Sequence, residues 1–104
     1  MKIIHDIYEL PFIEIQIKNY YKAKDKDFLK EIVDSVYDAI FSYLEIRNFG
    51  MYKNNKTEVF SFYYIPSENT KLYLITIIEQ LHLLQETEPN ISIIIKHDRK
   101  NYQE

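Results

Sequence analysis

Residue types able to do chemistry are present in this chain, but not at chemical spacings. The three histidines, His5, His82 and His97, form neither H-x-x-x-H nor H-x-x-E-H, the patterns that bring imidazoles together around zinc. No aspartate-rich loop follows a calcium-binding pattern. His97 and Asp98 are adjacent and suggest an acid–base pair, yet on a strand neighbouring side chains point to opposite faces. His82 falls on the exposed side of its helix and reads as a solvated histidine. No hydroxyl sits in a G-x-S-x-G elbow, and the single glycine, Gly50, excludes both G-x-G-x-x-G and the P-loop. Cysteine is absent, which removes thiol nucleophiles, zinc–thiolate sites and disulfides. The expectation is a protein with no catalytic residues, no metal and no cofactor.

What is organised is charge. At about 100° per residue, Asp27, Glu31, Asp34, Asp38 and Glu45 fall within an arc of roughly 60°, with Phe41 beside them and Lys30 at the edge. Such a stripe reads either as a solvated face whose early acids suit the positive end of a helix dipole or as a docking surface for a basic partner. Asp27/Glu31, Glu31/Asp34 and Asp34/Asp38 are like-charge pairs at i,i+3 or i,i+4, each costing roughly 0.2–0.5 kcal/mol. A face chosen only for stability would mix in more lysine.

These residues need a long helix, and one is expected over Asp25–Asn48 because Leu29, Ile32, Val33, Val36, Ile40 and Tyr43 share the opposite side. Asn48 and Gly50 are expected to end it, with Gly50 at positive φ. Before it, Phe12 to Lys18 alternates as a strand with Ile13, Ile15 and Ile17 inward. A polar loop follows, from Asn19 to Lys24. After the helix a short strand, Phe49 to Lys53, turns at Asn54 and Asn55 into a return strand from Glu58 to Ile65, with Phe60, Phe62 and Tyr64 toward the core. Ser67 or Asn69 caps a second helix running to about Gln85. Leu74, Ile77, Ile78, Leu81 and Leu84 form its buried stripe, and Leu72, Ile75 and Leu83 face the other way. Those three are too many apolar residues for a wet face, so a partner or residues 1–10 should cover them. The last strand is Ile91 to Lys96, and a polar, fraying tail is expected from His97 onward.

Strand, helix, strand, strand, helix, strand is the split βαβ pattern of a ferredoxin-like α+β fold. It implies a four-stranded antiparallel sheet, ordered four, one, three, two, with both helices on one face. The open face would present Glu14, Gln16, Ser61, Tyr63, Ser92, Ile94, Lys96 and Tyr52. This is either an ordinary half-solvated face or a set of tyrosine interface anchors. Residues 1–10 suit a short helix or a strand and are treated as an extra N-terminal arm.

Composition bounds the rest. A chain of 104 residues accommodates one domain, and 46% hydrophobic with 15% aromatic content makes it globular. No stretch approaches the roughly 20 apolar residues of a membrane span, and His5 and Asp6 interrupt the first apolar run too soon for a signal-peptide core. Richness in Ile, Lys, Asn and Tyr points to an AT-rich genome, hence a cytoplasmic bacterial or phage protein. The net charge of −3 argues against nonspecific nucleic-acid binding. Phe60, Phe62 and Tyr64 resemble the stacking aromatics of RNA-recognition motifs, but strand one lacks the central aromatic and carries Glu14, which would repel phosphate. Lys18, Lys22, Lys24 and Lys26 cluster before the first helix, where Asp25 and Asp27 occupy the position an anion would need.

The helix closing on AsnPheGlyMetTyr, the hairpin into ValPheSerPheTyrTyrIlePro, the helix from AsnThrLysLeuTyr and the final IleSerIleIleIleLys are similar in layout to small immunity proteins of bacterial toxin–immunity pairs. The resemblance spans most of residues 12 to 97. It implies a non-catalytic protein that binds and blocks a cognate toxin, and carries over no individual residue. The docking residues are expected instead from the acidic stripe, Asp27, Glu31, Asp34, Asp38 and Glu45 with Phe41, which suits a basic partner surface, or from Tyr52 and Tyr63 on the sheet face. Three other readings stay open. One is a phage inhibitor of a bacterial defence system. A second is a regulatory domain that self-associates, as a homodimer, through Leu72, Ile75 and Leu83 or an edge strand. The third is a small enzyme or nucleotide-binding domain, which needs a concave pocket with convergent polar groups.

Overall fold

Alternation in the first strand decides the architecture. In the computed structural model, which describes residues 10–98, β1 (Phe12–Lys18) buries Ile13, Ile15 and Ile17 on one side. It pairs on both edges, placing Ile15 opposite Phe60 of β3 (Thr57–Ile65) and opposite Ile95 of β4 (Ser92–Asp98). β2 (Glu45–Lys53) adds to the far side of β3. The sheet is therefore antiparallel throughout, in the order β2-β3-β1-β4.

Two helices, α1 (Lys26–Tyr43) and α2 (Thr70–Thr87), cover one face. Leu29, Val33, Val36 and Ile40 of α1 and Leu74, Ile77, Leu81 and Leu84 of α2 close over the β1 isoleucines and Phe60, Phe62 and Tyr64. Each large aliphatic side chain buried in this way contributes roughly 1.5–3 kcal/mol, which is why the apolar period outweighs local preference. This is the ferredoxin-like α+β fold that the element order implies.

The boundaries depart from expectation in four places. Helix α1 stops at Tyr43, not at Asn48: Leu44 is extended at φ −109° and ψ 145°, and its N–H closes on Ile40 O. LeuGluIleArg has helical propensity, but pairing Glu45 with Ile65 and Ile46 with Tyr64 satisfies the edge of β3 and wins. Gly50 is not at positive φ; among the described residues that conformation belongs to Asn19 (65°) and Asn48 (57°). Asn48 lies within a register shift between Arg47 and Gly50, a bulge that asparagine accommodates because it tolerates the left-handed region. The supposed tail from His97 is in fact the end of β4, with His97 opposite Ile13. Asn69 occupies the α2 N-cap position without a side-chain bond, and Thr70 instead holds Ser67, whose N–H donates to Thr70 Oγ1 at 2.6 Å. The arm and the rest of the tail lie outside the described residues, apart from buried Leu10.

Candidate functional site

The outer face of α1 carries the acids as a ridge. Asp25 caps the helix by accepting from Phe28 N at 2.9 Å, which fixes the first turn and therefore the direction of the side chains behind it. Asp27, Glu31, Asp34 and Asp38 are all exposed. Asp34 is taken by Lys30 at 2.8 Å, while Asp27, Glu31 and Asp38 make no ion pair among the described residues. Phe41 completes the ridge at 55% exposure, with its ring 4.9 Å from Phe49.

The other three expected site residues are elsewhere. Glu45 is not on the helix; it opens β2 and pairs with Arg47 at 2.9 Å. Tyr52, opposite Val59, and Tyr63, opposite Arg47, lie on the open sheet face, away from the helices. Tyr63 packs on Phe12 with ring centroids 4.8 Å apart, and the Tyr52 hydroxyl accepts from Asn54 Nδ2 at 3.1 Å. Glu14 and Lys96 face each other there at 3.7 Å. The structure thus brings five of the eight together and puts three on a separate surface.

A cleft of about 620 Å³ opens beside the ridge, between the first three turns of α1, the end of the β2–β3 hairpin and the short 3-10 turn Tyr20–Lys22. Its floor is Glu58, a carboxylate only 3% exposed because it shares the core-facing side of β3 with Phe60 and Phe62. Tyr20 Oη donates to one of its oxygens and Tyr37 Oη to the other. Lys53 Nζ stands 4.0 Å from the first oxygen and 5.5 Å from the centre of the Tyr20 ring. Burial chiefly, then the hydrogen bond to Glu58 and its negative charge, hold both phenols well above the ordinary tyrosine value. The Tyr37 ring also packs on Phe60 at 4.6 Å, linking the cleft to the core.

None of Glu58, Tyr20 and Tyr37 was among the expected site residues. The parity of β3 does place Glu58 on the same face as Phe60, and that was the available signal. His97 and Asp98 do not act as a pair on one face: the Tyr64 hydroxyl and His97 Nε2 are 2.6 Å apart on the helix side. A second buried acid, Glu88, accepts from the N–H groups of Lys24 and Asp25 at 2.7 and 2.8 Å, tying the end of α2 to the start of α1. Among the described residues no group of three or more metal-ligating side chains is gathered, and no helix is long and apolar enough to cross a membrane.

The fold and its surfaces define a ferredoxin-like domain bearing an acidic ridge and a tyrosine-lined cleft. No family model and no curated protein matches the chain. Among solved structures it is similar to the de novo designed protein Foldit4, at 13% identity and TM-score 0.51 over 86% of this chain and 97% of that one. It is also similar to part of a putative aminohydrolase from methicillin-resistant Staphylococcus aureus, at 7% identity and TM-score 0.51 over 86% of this chain and 28% of that one. A designed protein with a ferredoxin fold matches at 17% identity and TM-score 0.47 over 91% of this chain and 90% of that one. At such identities the first two likenesses speak to fold alone, and fold does not assign activity.

Proposed function

We propose that this chain is a non-catalytic protein-binding inhibitor, a cytoplasmic immunity protein that docks the outer face of α1 against the basic surface of a toxin. The observation that carries the reading is the ridge itself. Asp27, Glu31 and Asp38 stand exposed without an ion pair among the described residues, beside an exposed Phe41. The protein tolerates this like-charge array on its own helix, and an incoming cluster of lysines and arginines would relieve the repulsion. Aligned negative charge also speeds encounter with a basic partner and makes the rate fall as salt rises, while the aromatic supplies an anchor.

The test is capture from the native cell with the intact chain, identification of the bound protein, and a rate measurement with the triple variant D27K/E31K/D38K. A basic partner is expected, with association slowed at least about tenfold by the variant and by added salt. Unchanged association by a correctly folded variant would refute the ridge. A second reading, self-association, is favoured by the exposure of Leu72 (62%) and Leu83 (49%) on α2. Sedimentation showing a monomer at 100 micromolar would exclude it, and a dimer dispersed by L72S would establish it.

A further inference from the structure

We infer that the cleft beside the ridge is a guanidinium site, shaped to receive one arginine side chain of the docked partner. The inference rests on the protein-binding reading for the source of the arginine, and on the geometry of the cleft for its chemistry. Each phenol has a single proton: Tyr20 gives its own to Glu58, and Tyr37, whose Oη also lies 3.1 Å from Met51 Sδ, gives its proton to the carboxylate, a far stronger acceptor than a thioether. What Tyr20 and Tyr37 still offer to the cleft is oxygen lone pairs. The floor therefore consists of acceptors around one buried negative charge. A group made only of donors and carrying positive charge is its complement, and the planar fork of a guanidinium fits acceptors spread over several atoms better than a point ammonium does.

The resident cation leaves room for it. Lys53 approaches Glu58 only to 4.0 Å and its side chain remains 58% exposed, so the carboxylate holds a loose counter-ion and not a close one. Lys53 also shows what the walls accept, since its ammonium lies over the Tyr20 ring, the cation–π arrangement that arginine forms more often than lysine. The other lysine near the floor, Lys30, is neutralised by Asp34, and Lys26 stands exposed at the rim. Leu29, Val33 and Met51 give the methylene stem an apolar track. Position supports the same occupant, because Lys30 and Asp34 border both the cleft and the ridge. A basic surface seated on α1 would therefore cover the mouth of the cleft as well as the ridge.

The cleft can be tested without the partner. N-acetyl-arginine methylamide is titrated into the isotopically labelled full chain and followed by amide shifts, with the citrulline analogue as an uncharged isostere and N-acetyl-glutamate as an anionic control. Shifts centred on Tyr37, Met51, Lys53 and Glu58 are expected with arginine and not with citrulline or glutamate. K53M, which removes the competing cation, should tighten arginine about fivefold, and E58Q should weaken it about tenfold. Because K53M lies on an exposed edge strand, it keeps the test decisive even if E58Q unfolds. No arginine-dependent shift at 20 millimolar, equal binding of citrulline, binding of glutamate instead, or weaker binding by K53M would each overturn the assignment. If the titration fails while toxin association still depends on Asp27, Glu31 and Asp38, the cleft alone is refuted. If the titration succeeds and association ignores the ridge, it is the docking reading that falls.

Discussion

Replacing Glu88 by alanine should cost more than any surface change in this protein. Its carboxylate is 1% exposed and receives two backbone N–H groups, from Lys24 at 2.7 Å and Asp25 at 2.8 Å. Those amides belong to the residues immediately before α1, where the chain must turn so that Asp25 can cap the helix. A hydrogen bond to a charged group contributes roughly 1.5–3 kcal/mol, so the pair is worth about 3–6 kcal/mol. Lys24 and Asp25 are exposed, and water can reach their amides once the carboxylate is gone, which places the loss for E88A at the lower end, about 3 kcal/mol. For a domain of this length that is a fall in melting temperature of about 12 °C or more. E88Q keeps one acceptor but turns an N–H toward the other amide, so a loss of about 2 kcal/mol is expected. Urea unfolding followed by circular dichroism and by tyrosine fluorescence measures both. Hydrogen exchange at the amides of Lys24 and Asp25 should accelerate in E88A before the rest of the chain responds. A loss below about 1 kcal/mol, with those amides still protected, would show that the carboxylate is not what holds the two ends together.

Two further outcomes follow from local geometry. Because Tyr20 and Tyr37 titrate above the ordinary phenol range in the folded chain, the unfolded chain loses those protons first. Stability should be full below about pH 10, the unfolded value, and fall as pH rises beyond it. The double variant Y20F/Y37F, melted across pH 8 to 11, should lose that alkaline decline, and retention of the decline would assign it elsewhere. At the β2 bulge, N48A should cost about 1 kcal/mol because alanine resists the left-handed conformation, whereas N48G should be neutral or stabilising. Equal stability of the two variants would mean the bulge relaxes.

Element types and strand order were legible because they rest on alternation and helical period, which long apolar stripes such as Leu29–Val33–Val36–Ile40 state redundantly. The junction at Leu44 was not, since helical and extended readings of LeuGluIleArg differ only in what the segment meets in space. Pairing with β3, invisible along the chain, settles it and moves Glu45 off the acidic face. The ridge survived that correction because Asp27 to Asp38 depend on α1 alone. The cleft needed three elements far apart in sequence, with Tyr20, Tyr37 and Glu58 meeting only after the fold closes.

That difference would divide the roles of the two surfaces in the proposed docking. The sheet keeps Glu58 on its inner face by strand parity, and the α1 backbone sets Tyr37 over it, so the acceptor floor is as rigid as the core it continues through Phe60. The ridge is a row of long, exposed side chains on one helix and can adapt. A partner drawn in by the adaptable surface and fixed by the rigid one would gain its rate from the first and its residence time from the second. Charge reversal on the ridge should therefore act mainly on association, and substitution at Glu58 mainly on dissociation. The same two variants measured by surface plasmon resonance would reveal an error in this division as a reversed pattern.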